Sequence, residues 1–449
     1  MSFVSSGSSR LVIDAFLGAG AEAQNACGNT PATYAGFADC IAIGASSGTG
    51  TRLTVVDANT AGNGALNLTG TVVVDGTSGS AGDFFLSTSD PNVVSTPQGP
   101  AIVKGFVQYQ LVFDSANSNW DLVGLPSAGA IELAKLTAGL QSLWYETADS
   151  WNERTSLLRY DFANDRMARG WSIWGKAYYG RIDRDSSNAV DAAGSTVLYD
   201  TSYGQNYYGF QIGADYFMRN ANNGAWVFGV LGGYNKSSLE FSANADKVEM
   251  SVYNVGGYVS YLRGPVFADL LVKDDIAKFD FKLPALSALD DINANSIGGE
   301  LTVGSRFGGM GGMGLVIEPM ATLAYVNTTV DSMDWMGMNF AWEDGTSFRG
   351  TLAVRLSADF RGSETTLQPF ILGGVGQEFN GNNKLTLTSG DSLVLSDKPI
   401  KTFGVASLGL NAFSTGGLSG YVRADGMLGS NYTSVAMRLG IRYRFGAAP

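Results

Sequence analysis

Histidine is absent from this 449-residue chain. That excludes Ser-His-Asp and Cys-His catalysis, His-ligated zinc and any imidazole general base. Cysteine is nearly absent: only Cys27 and Cys40 occur, which rules out an all-cysteine zinc site and a CxxC redox motif. Charge is scarce, at 16% of residues, against roughly 25% in an average soluble domain. What charge there is leans acidic, with a formal net of -12 and a pI near 4.6, which argues against a nucleic-acid partner. No run of 18 apolar residues exists, so no segment reads as a membrane-spanning helix. The N-terminus, MSFVSSGSSRLVID, has neither a basic n-region nor an apolar core. If the protein is exported, the chain is therefore expected to be a mature or truncated form. Glycine is abundant instead, at 59 residues, near twice the usual roughly 7%. Apolar residues stay ordinary at 45%. Low charge and high glycine at a normal apolar fraction suggest many glycine-spaced strands facing something other than water.

Three zones follow along the chain. Residues 1–126 hold short β-branched runs between Gly/Ser/Asn/Asp turns: RLVID (10–14), CIAIG (40–44), RLTVVD (52–57), LTGTVVVDG (68–76), GDFFL (82–86), QYQLVF (108–113) and NWDLVG (119–124). Their irregular spacing fits a β-solenoid with uneven rungs, with a β-sandwich as the alternative. Cys27 and Cys40 sit in Gly/Asn/Ala-rich sequence and read as one structural disulfide in an oxidising compartment; the alternative is two unrelated thiols. Residues 127–169 form a linker. Pro126-Ser127 supplies a stop and an N-cap candidate. Leu133, Leu136, Leu140, Leu143 or Trp144, and Trp151 then follow 3/4 spacing, with Glu132, Lys135, Glu146, Asp149, Glu153 and Arg154 between them. The spacing predicts a helix over about 128–158, with Arg159 just beyond. Some 30 helical residues reach roughly 45 Å, enough to cross a membrane-thick object. Taken alone, the segment would read as an amphipathic surface helix.

Residues 170–445 hold about a dozen longer strands with period-two alternation. Tyr208, Phe210, Ile212, Ala214 and Tyr216 oppose Gln211, Gly213 and Asp215. The last strand sets Val435, Met437, Leu439, Ile441, Tyr443 and Phe445 against Arg438, Gly440, Arg442 and Arg444. Strand starts are expected near 171, 205, 226, 250, 266, 296, 314, 347, 366, 402, 417 and 434. Connections alternate between short (219–224, 262–265, 308–314, 361–365, 414–417) and long and polar (182–203, 240–248, 280–295, 327–346, 380–400), with LGSNYT (428–433) as the exception. An even number of antiparallel strands with loop length sorted by parity is the pattern of an outer-membrane barrel. The predicted fold is therefore all-β: a 12-stranded antiparallel transmembrane β-barrel with a pore-spanning α-helix, preceded by a short β-helix. One barrel face meets outer-membrane lipid. The other carries Lys176, Asp215, Glu300, Arg306, Glu318, Arg349, Arg355, Arg423, Arg438, Arg442 and Arg444, available as partners that would fix the register of the mixed-charge helix, with each one taken individually read as solvated lumen lining. Trp171, Tyr179, Trp226, Tyr261, Tyr325 and Phe445 suit interfacial girdles. GGMGGMG (308–314) precedes no helix and is a turn rather than a phosphate loop. The pairs Asp274-Asp275 and Asp290-Asp291 read as solvated surface. No cofactor or metal is expected.

Several segments resemble the pertactin-type, monomeric type V autotransporters. LWYETADSWNERTSLLR (143–159) resembles the family's helical linker, and RGWSIWGKAYYGRIDRDSS (169–187) and YYGFQIGADYFM (207–218) its first two barrel strands. VIEPMATLAYVN (316–327) and LQPFILGGVGQEFNG (367–381) look like its two Pro-containing strands. RLGIRYRF (438–445) fits the C-terminal signal for barrel assembly, through Arg438, Gly440, Tyr443 and Phe445. Phe445 is usually terminal; here residues 446–449, GAAP, extend it. SSRLVID, GTRLTVVDAN, GTVVVDG and QYQLVFDSANSNWDLVG look like the last rungs and autochaperone cap of a passenger β-helix, with the Cys27–Cys40 segment inserted. The resemblance implies a monomeric translocator in the bacterial outer membrane. The barrel-assembly machinery and periplasmic chaperones would be its partners, the N-terminal region would be exported to the cell surface, and the helix would plug the pore. The alternatives are a surface adhesin or antigen with its own ligand, anchored by the barrel, and a general diffusion pore. No enzymatic role is expected. Some family members cut their linker at an Asn-Asn step, and here only Asn152-Glu153, with Asp149 one turn earlier, stands in the helix.

Overall fold

A strand immersed in lipid has no water to satisfy its peptide groups, so its sheet must close on itself. The structure, a computed structural model, describes residues 3–5, 8–18, 27, 38–48, 50–164, 169–220, 224–284, 289–310 and 314–445. Among these, twelve long strands close into one antiparallel barrel. They are β1 (Gly170–Arg184), β2 (Tyr203–Arg219), β3 (Gly224–Phe241), β4 (Lys247–Arg263), β5 (Val266–Lys282), β6 (Leu289–Ser305), β7 (Leu315–Val330), β8 (Gly345–Ala358), β9 (Thr365–Ser389), β10 (Thr402–Ser414), β11 (Leu418–Gly429) and β12 (Tyr432–Arg444). Each pairs with its neighbour, and β12 returns to β1 in unbroken register from Ser172–Arg444 to Arg184–Tyr432. The 12-stranded antiparallel barrel expected from the alternation is thus the fold found.

The outward face is apolar along its middle, as at Ile173, Ile212, Val230, Val255, Val272 and Leu408. In each of β1 to β4, two outward aromatics stand eight residues apart: Trp171 and Tyr179, Tyr208 and Tyr216, Trp226 and Tyr234, Tyr253 and Tyr261. Cross-strand neighbours stack into belts, with Trp171–Tyr216 at 5.0 Å, Trp226–Tyr261 at 4.6 Å and Tyr234–Tyr253 at 5.0 Å between ring centroids. Eight residues at about 3.3 Å each, tilted by about 40°, separate the belts by roughly 20 Å of height. That matches the apolar band of an outer-membrane barrel. On the inward face glycine makes room for aromatic rings laid across the strands. A Cβ on Gly229 would lie 2.1 Å from the Tyr258 ring, on Gly440 2.2 Å from Tyr421, and on Gly213 2.5 Å from Trp174.

At one end the strands are joined by short turns, such as the two residues between β4 and β5. At the other end the expected long loops need correction. The connection expected at 240–248 narrows to residues 242–246, and most of the described part of 280–295 is strand, because β3 to β6 continue past the lipid-facing band. The other three expected loops fold into β-hairpins: Ser187–Ala192 with Ser195–Asp200, Met333–Trp335 with Met338–Trp342, and the end of β9 with Asp391–Asp397. The helix is also longer than predicted. It begins as α1 (Ala128–Glu132), tightens through a 3-10 turn (Leu133–Lys135), and runs on as α2 (Leu136–Ala163).

Upstream, Arg10–Ala15, Thr51–Asp57 and Phe84–Leu86 stack in parallel, placing Leu11, Leu53 and Leu86 in one ladder. Parallel stacking of successive turns is the geometry of a solenoid. Ile41–Ala42 continues it beside Asn67–Asp75. Asn119–Pro126, Val107–Asp114 and Gly99–Lys104 then close that sheet in antiparallel fashion. Cys27 and Cys40 form a disulfide with a Cα–Cα distance of 5.3 Å; residues 19–26 and 28–37 of that segment lie outside the described residues. So do 311–313 of the Gly-rich turn and the 446–449 extension.

Val230 lies midway between the two belts on β3 and is exposed to lipid. Val230→Arg is expected to cost about 2–4 kcal/mol in a bilayer. Urea unfolding in liposomes checks the figure, and the same substitution at exposed Val4, away from the barrel, should leave the transition unmoved.

Candidate functional site in the barrel lumen

A helix about 10–12 Å across needs a lumen that twelve strands, but not eight, can offer. The helix built by α1, the 3-10 turn and α2 occupies that lumen, and nearly all its described side chains are buried. Its apolar face packs on the wall. Trp144 lies with Leu231, Leu271 and Val326, Leu158 with Phe217, Val227 and Met320, and Tyr160 stacks on Phe413 at 3.7 Å. Leu133, Leu136 and Leu140 join the apolar core at the hairpin end.

The charged face is matched residue by residue. Lys135 meets Asp397 at 2.8 Å, with Arg184 on the same carboxylate at 2.8 Å. Glu146 accepts from Arg438 at 2.6 Å, Tyr207 at 2.6 Å and Ser434 at 2.5 Å. Glu153 pairs with Arg355 at 3.2 Å, and Arg154 pairs with Asp215. Arg159 bridges Glu318 and Asp269, each at 3.1 Å. Asp161 accepts from Arg442 at 2.6 Å and lies 3.2 Å from Arg444. Every helix charge from 135 to 161 with a described side chain therefore faces the opposite sign. Reading these lumen charges as individually solvated is corrected: the helix excludes the water, and the pairs replace it. Neutral groups follow the same rule. Gln141 and Asn383 exchange two hydrogen bonds, at 3.0 and 2.9 Å, and Lys273 donates to the Thr147 hydroxyl at 2.5 Å.

The remaining expected lumen residues also point inward. Arg306 pairs with Glu318 at 3.2 Å, Arg423 pairs with Asp425, and Arg349 lies 3.6 Å from Glu378 and 3.9 Å above the Tyr145 ring. Lys176 reaches the Thr147 carbonyl at 3.5 Å. Glu300 lines a cavity of about 110 Å³ shared with Arg423 and Arg438, room for several waters. Asp275 is a correction of a different kind: it is fully buried against Lys273 at 2.9 Å, not solvated surface. With Asp269 and Lys273 it shows what the sequence reading missed on β5. Outward Val266, Leu270, Val272 and Ile276 fix the parity, and parity alone places 269, 273 and 275 inside. On β9 the outward Leu367, Ile371 and Val375 likewise place Glu378 inside, whereas Asp397 had no such signal, because β9 changes its facing near Phe379. The side chains of Asp149, Trp151 and Asn152 lie outside the described residues. In the assembly-signal segment, Gly440 and Arg438 face inward, while Tyr443 and Phe445 face lipid with rings 5.2 Å apart.

A closed 12-stranded barrel whose bore is filled by the chain's own preceding helix is the arrangement of autotransporter translocator domains. Residues 169–425 match the family model described as the Autotransporter beta-domain, and the chain belongs to that family. It is an outer-membrane translocator unit that exports a passenger domain. The transport unit of the autotransporter AIDA-I from Escherichia coli is similar in fold, with a TM-score of 0.52, 17% identity, and coverage of 61% of this chain and 90% of that one. The β-domain of the Bordetella autotransporter BrkA gives a TM-score of 0.48 at 18% identity, covering 61% and 99%. Among curated proteins, none matches.

Two predictions concern the helix. Arg154→Met removes the cation paired with buried Asp215 and is expected to cost about 3–5 kcal/mol, most of it recovered in Arg154→Met with Asp215→Asn. Heat-modifiable gel migration reads the stability, and a rise in single-channel conductance should accompany the single substitution only. At the hairpin end, beyond the lipid band, Glu132 accepts from Asn244 at 2.8 Å, and burial, with Asp246 beside it, pushes its carboxyl up to about 9. A carboxyl raised above its unfolded value of about 4.3 stabilises most at low pH, and that contribution drains away as the pH rises to the folded value. Protection of residues 128–135 from hydrogen exchange should fall between about pH 5 and 9, and Glu132→Gln should flatten the slope.

Proposed function

We propose that the exported passenger is residues 1–126, held at the cell surface by the barrel, with the helix left behind in the pore as its plug. The observation that carries this reading is continuity. The solenoid ends at Pro126 and the helix starts at Ala128. The helix is held in the bore along its length by paired charges, and the first barrel strand follows it in sequence at Gly170. A chain threaded this way has its N-terminal part at the hairpin end and its barrel in the membrane. The paired charges weigh against a general diffusion pore, since conduction would require the helix to leave six matched partners. Tyr443 and Phe445, displayed on the lipid face of the closing strand, support recognition of that strand by the barrel-assembly machinery, with periplasmic chaperones delivering the unfolded barrel. The role is mechanical rather than enzymatic, and the chain acts as a monomer.

An epitope placed directly ahead of residue 1 in the exported protein is expected to bind antibody on intact cells. An epitope that stays inaccessible while the barrel shows heat-modifiable migration would overturn the reading.

A further inference from the structure

The three hairpins that replace the expected loops converge on one short stretch of the solenoid, Asn63–Leu68. Ala193, at the tip of the first, donates its amide to the Leu68 carbonyl at 2.9 Å. Asp391, at the tip of the third, donates its amide to the Leu66 carbonyl at 3.1 Å, and its carboxylate accepts the Leu68 amide at 2.7 Å. Ser389 donates to the Gly64 carbonyl at 3.2 Å. The tip of the second sits against Asn63, where a Cβ on Gly337 would lie 2.9 Å from the Asn63 Cβ. Beside this strip, Phe106 of the solenoid inserts between Trp335 and Phe340 of the second hairpin, each ring centroid 4.8 Å away. Tyr199 of the first hairpin receives a hydrogen bond from Gln108 at 2.9 Å and donates to the Pro126 carbonyl at 2.8 Å.

The tips are shaped for this approach. Ala193-Gly194 and Met336-Gly337 both have positive φ at two successive residues, and Gly390 has φ +82°. A Cβ on Gly390 would stand 2.7 Å from the Leu66 carbonyl oxygen. Behind the tips, Met333, Met338, Leu385, Leu387 and Leu395 form one continuous apolar core with Val107 and Leu125 of the solenoid.

We propose that the three hairpin tips form a clasp that retains the solenoid on the barrel by itself, so that surface retention does not depend on an intact backbone between them. This goes beyond the translocator reading and can be tested without it, on purified full-length protein in detergent. A protease site is placed in the exposed turn at 115–118, the folded chain is cut, and the N-terminal fragment remaining with the barrel is measured after washing. The fragment should stay bound in the otherwise native chain. Gly390→Ala, Phe106→Ala and Asp391→Ala should each raise the released fraction about tenfold, the change that a loss of about 1.4 kcal/mol produces. Heat-modifiable migration shows that each barrel is folded, and the Phe106 variant leaves the hairpins untouched. Release from the native chain on cutting would overturn the proposal. So would equal retention in all three variants, since strand pairing with Asn119–Pro126 would then suffice.

Discussion

Lipid cannot hydrogen-bond a peptide group, and the rest of the structure follows from that constraint. It closes the sheet, and closure creates an inside that the strands alone leave open and the preceding helix fills. Period-two alternation then sends every second side chain to hydrocarbon and every other one to the bore. Charge scarce in the whole sequence is therefore concentrated along the bore and at the two ends. Glycine is abundant for the same reason. Rings such as Tyr258, Tyr421 and Trp174 lie flat across the inner wall only where the neighbouring residue has no Cβ.

Filling the bore removes water from those charges, and a buried charge without a partner is costly. The helix meets this requirement with a pattern of its own: Lys135, Glu146, Glu153, Arg154, Arg159 and Asp161 each face the opposite sign on the wall. Buried pairs often add little net stability compared with apolar packing, so their number is poor evidence for a tight plug. Their consequence is register. A slip of one residue turns the helix by about 100° and shifts it by 1.5 Å, which breaks all six matches together. Apolar contacts alone would tolerate such a slip far better. The mixed charge of the helix therefore specifies one resting position rather than a general affinity for the bore.

The strands were legible because period two is a local property, visible in four or five residues at a time. Eleven of the twelve strand starts lie within three residues of the alternation reading; the two largest departures, three residues at 250 and seven at 296, occur where β4 and β6 extend beyond the lipid band and alternation no longer has to be apolar. The inward set was legible wherever an outward apolar row fixed the parity. The matches between helix and wall were not, since Glu146 and Arg438 are 292 residues apart and no local pattern relates them. The hairpins were hidden for a different reason. A two-residue hairpin is usually announced by Asn-Gly or Asp-Gly, which accept positive φ easily. Here the turns are Ala193-Gly194 and Met336-Gly337, in which a residue poorly suited to positive φ takes the first position. Polar, unannounced sequence between two strands reads as loop, and so three built hairpins were taken for solvent-exposed connections.

The asymmetry of the two barrel ends follows from what each must do physically. At the turn end the chain only reverses, and two residues suffice between β4 and β5. At the other end a domain of little more than a hundred residues meets the barrel, and a small domain buries a smaller share of its surface than a large one. Part of its lower sheet carries buried polar groups, Gln108, Gln110 and Asn119 among them, rather than a full apolar face. Continuing β9 past the lipid band and folding hairpins over this sheet gives the solenoid a second layer that its own sequence does not supply. The apolar core accordingly runs without interruption from Val73 and Trp120, through Leu125 and Phe106, to Phe340 and Leu387 of the barrel chain. Two bodies that share a core do not unfold independently, so the stability of the solenoid is coupled to that of the barrel. A strained tip such as Met336 is tolerable under that arrangement, because the contacts that hold it come from both sides.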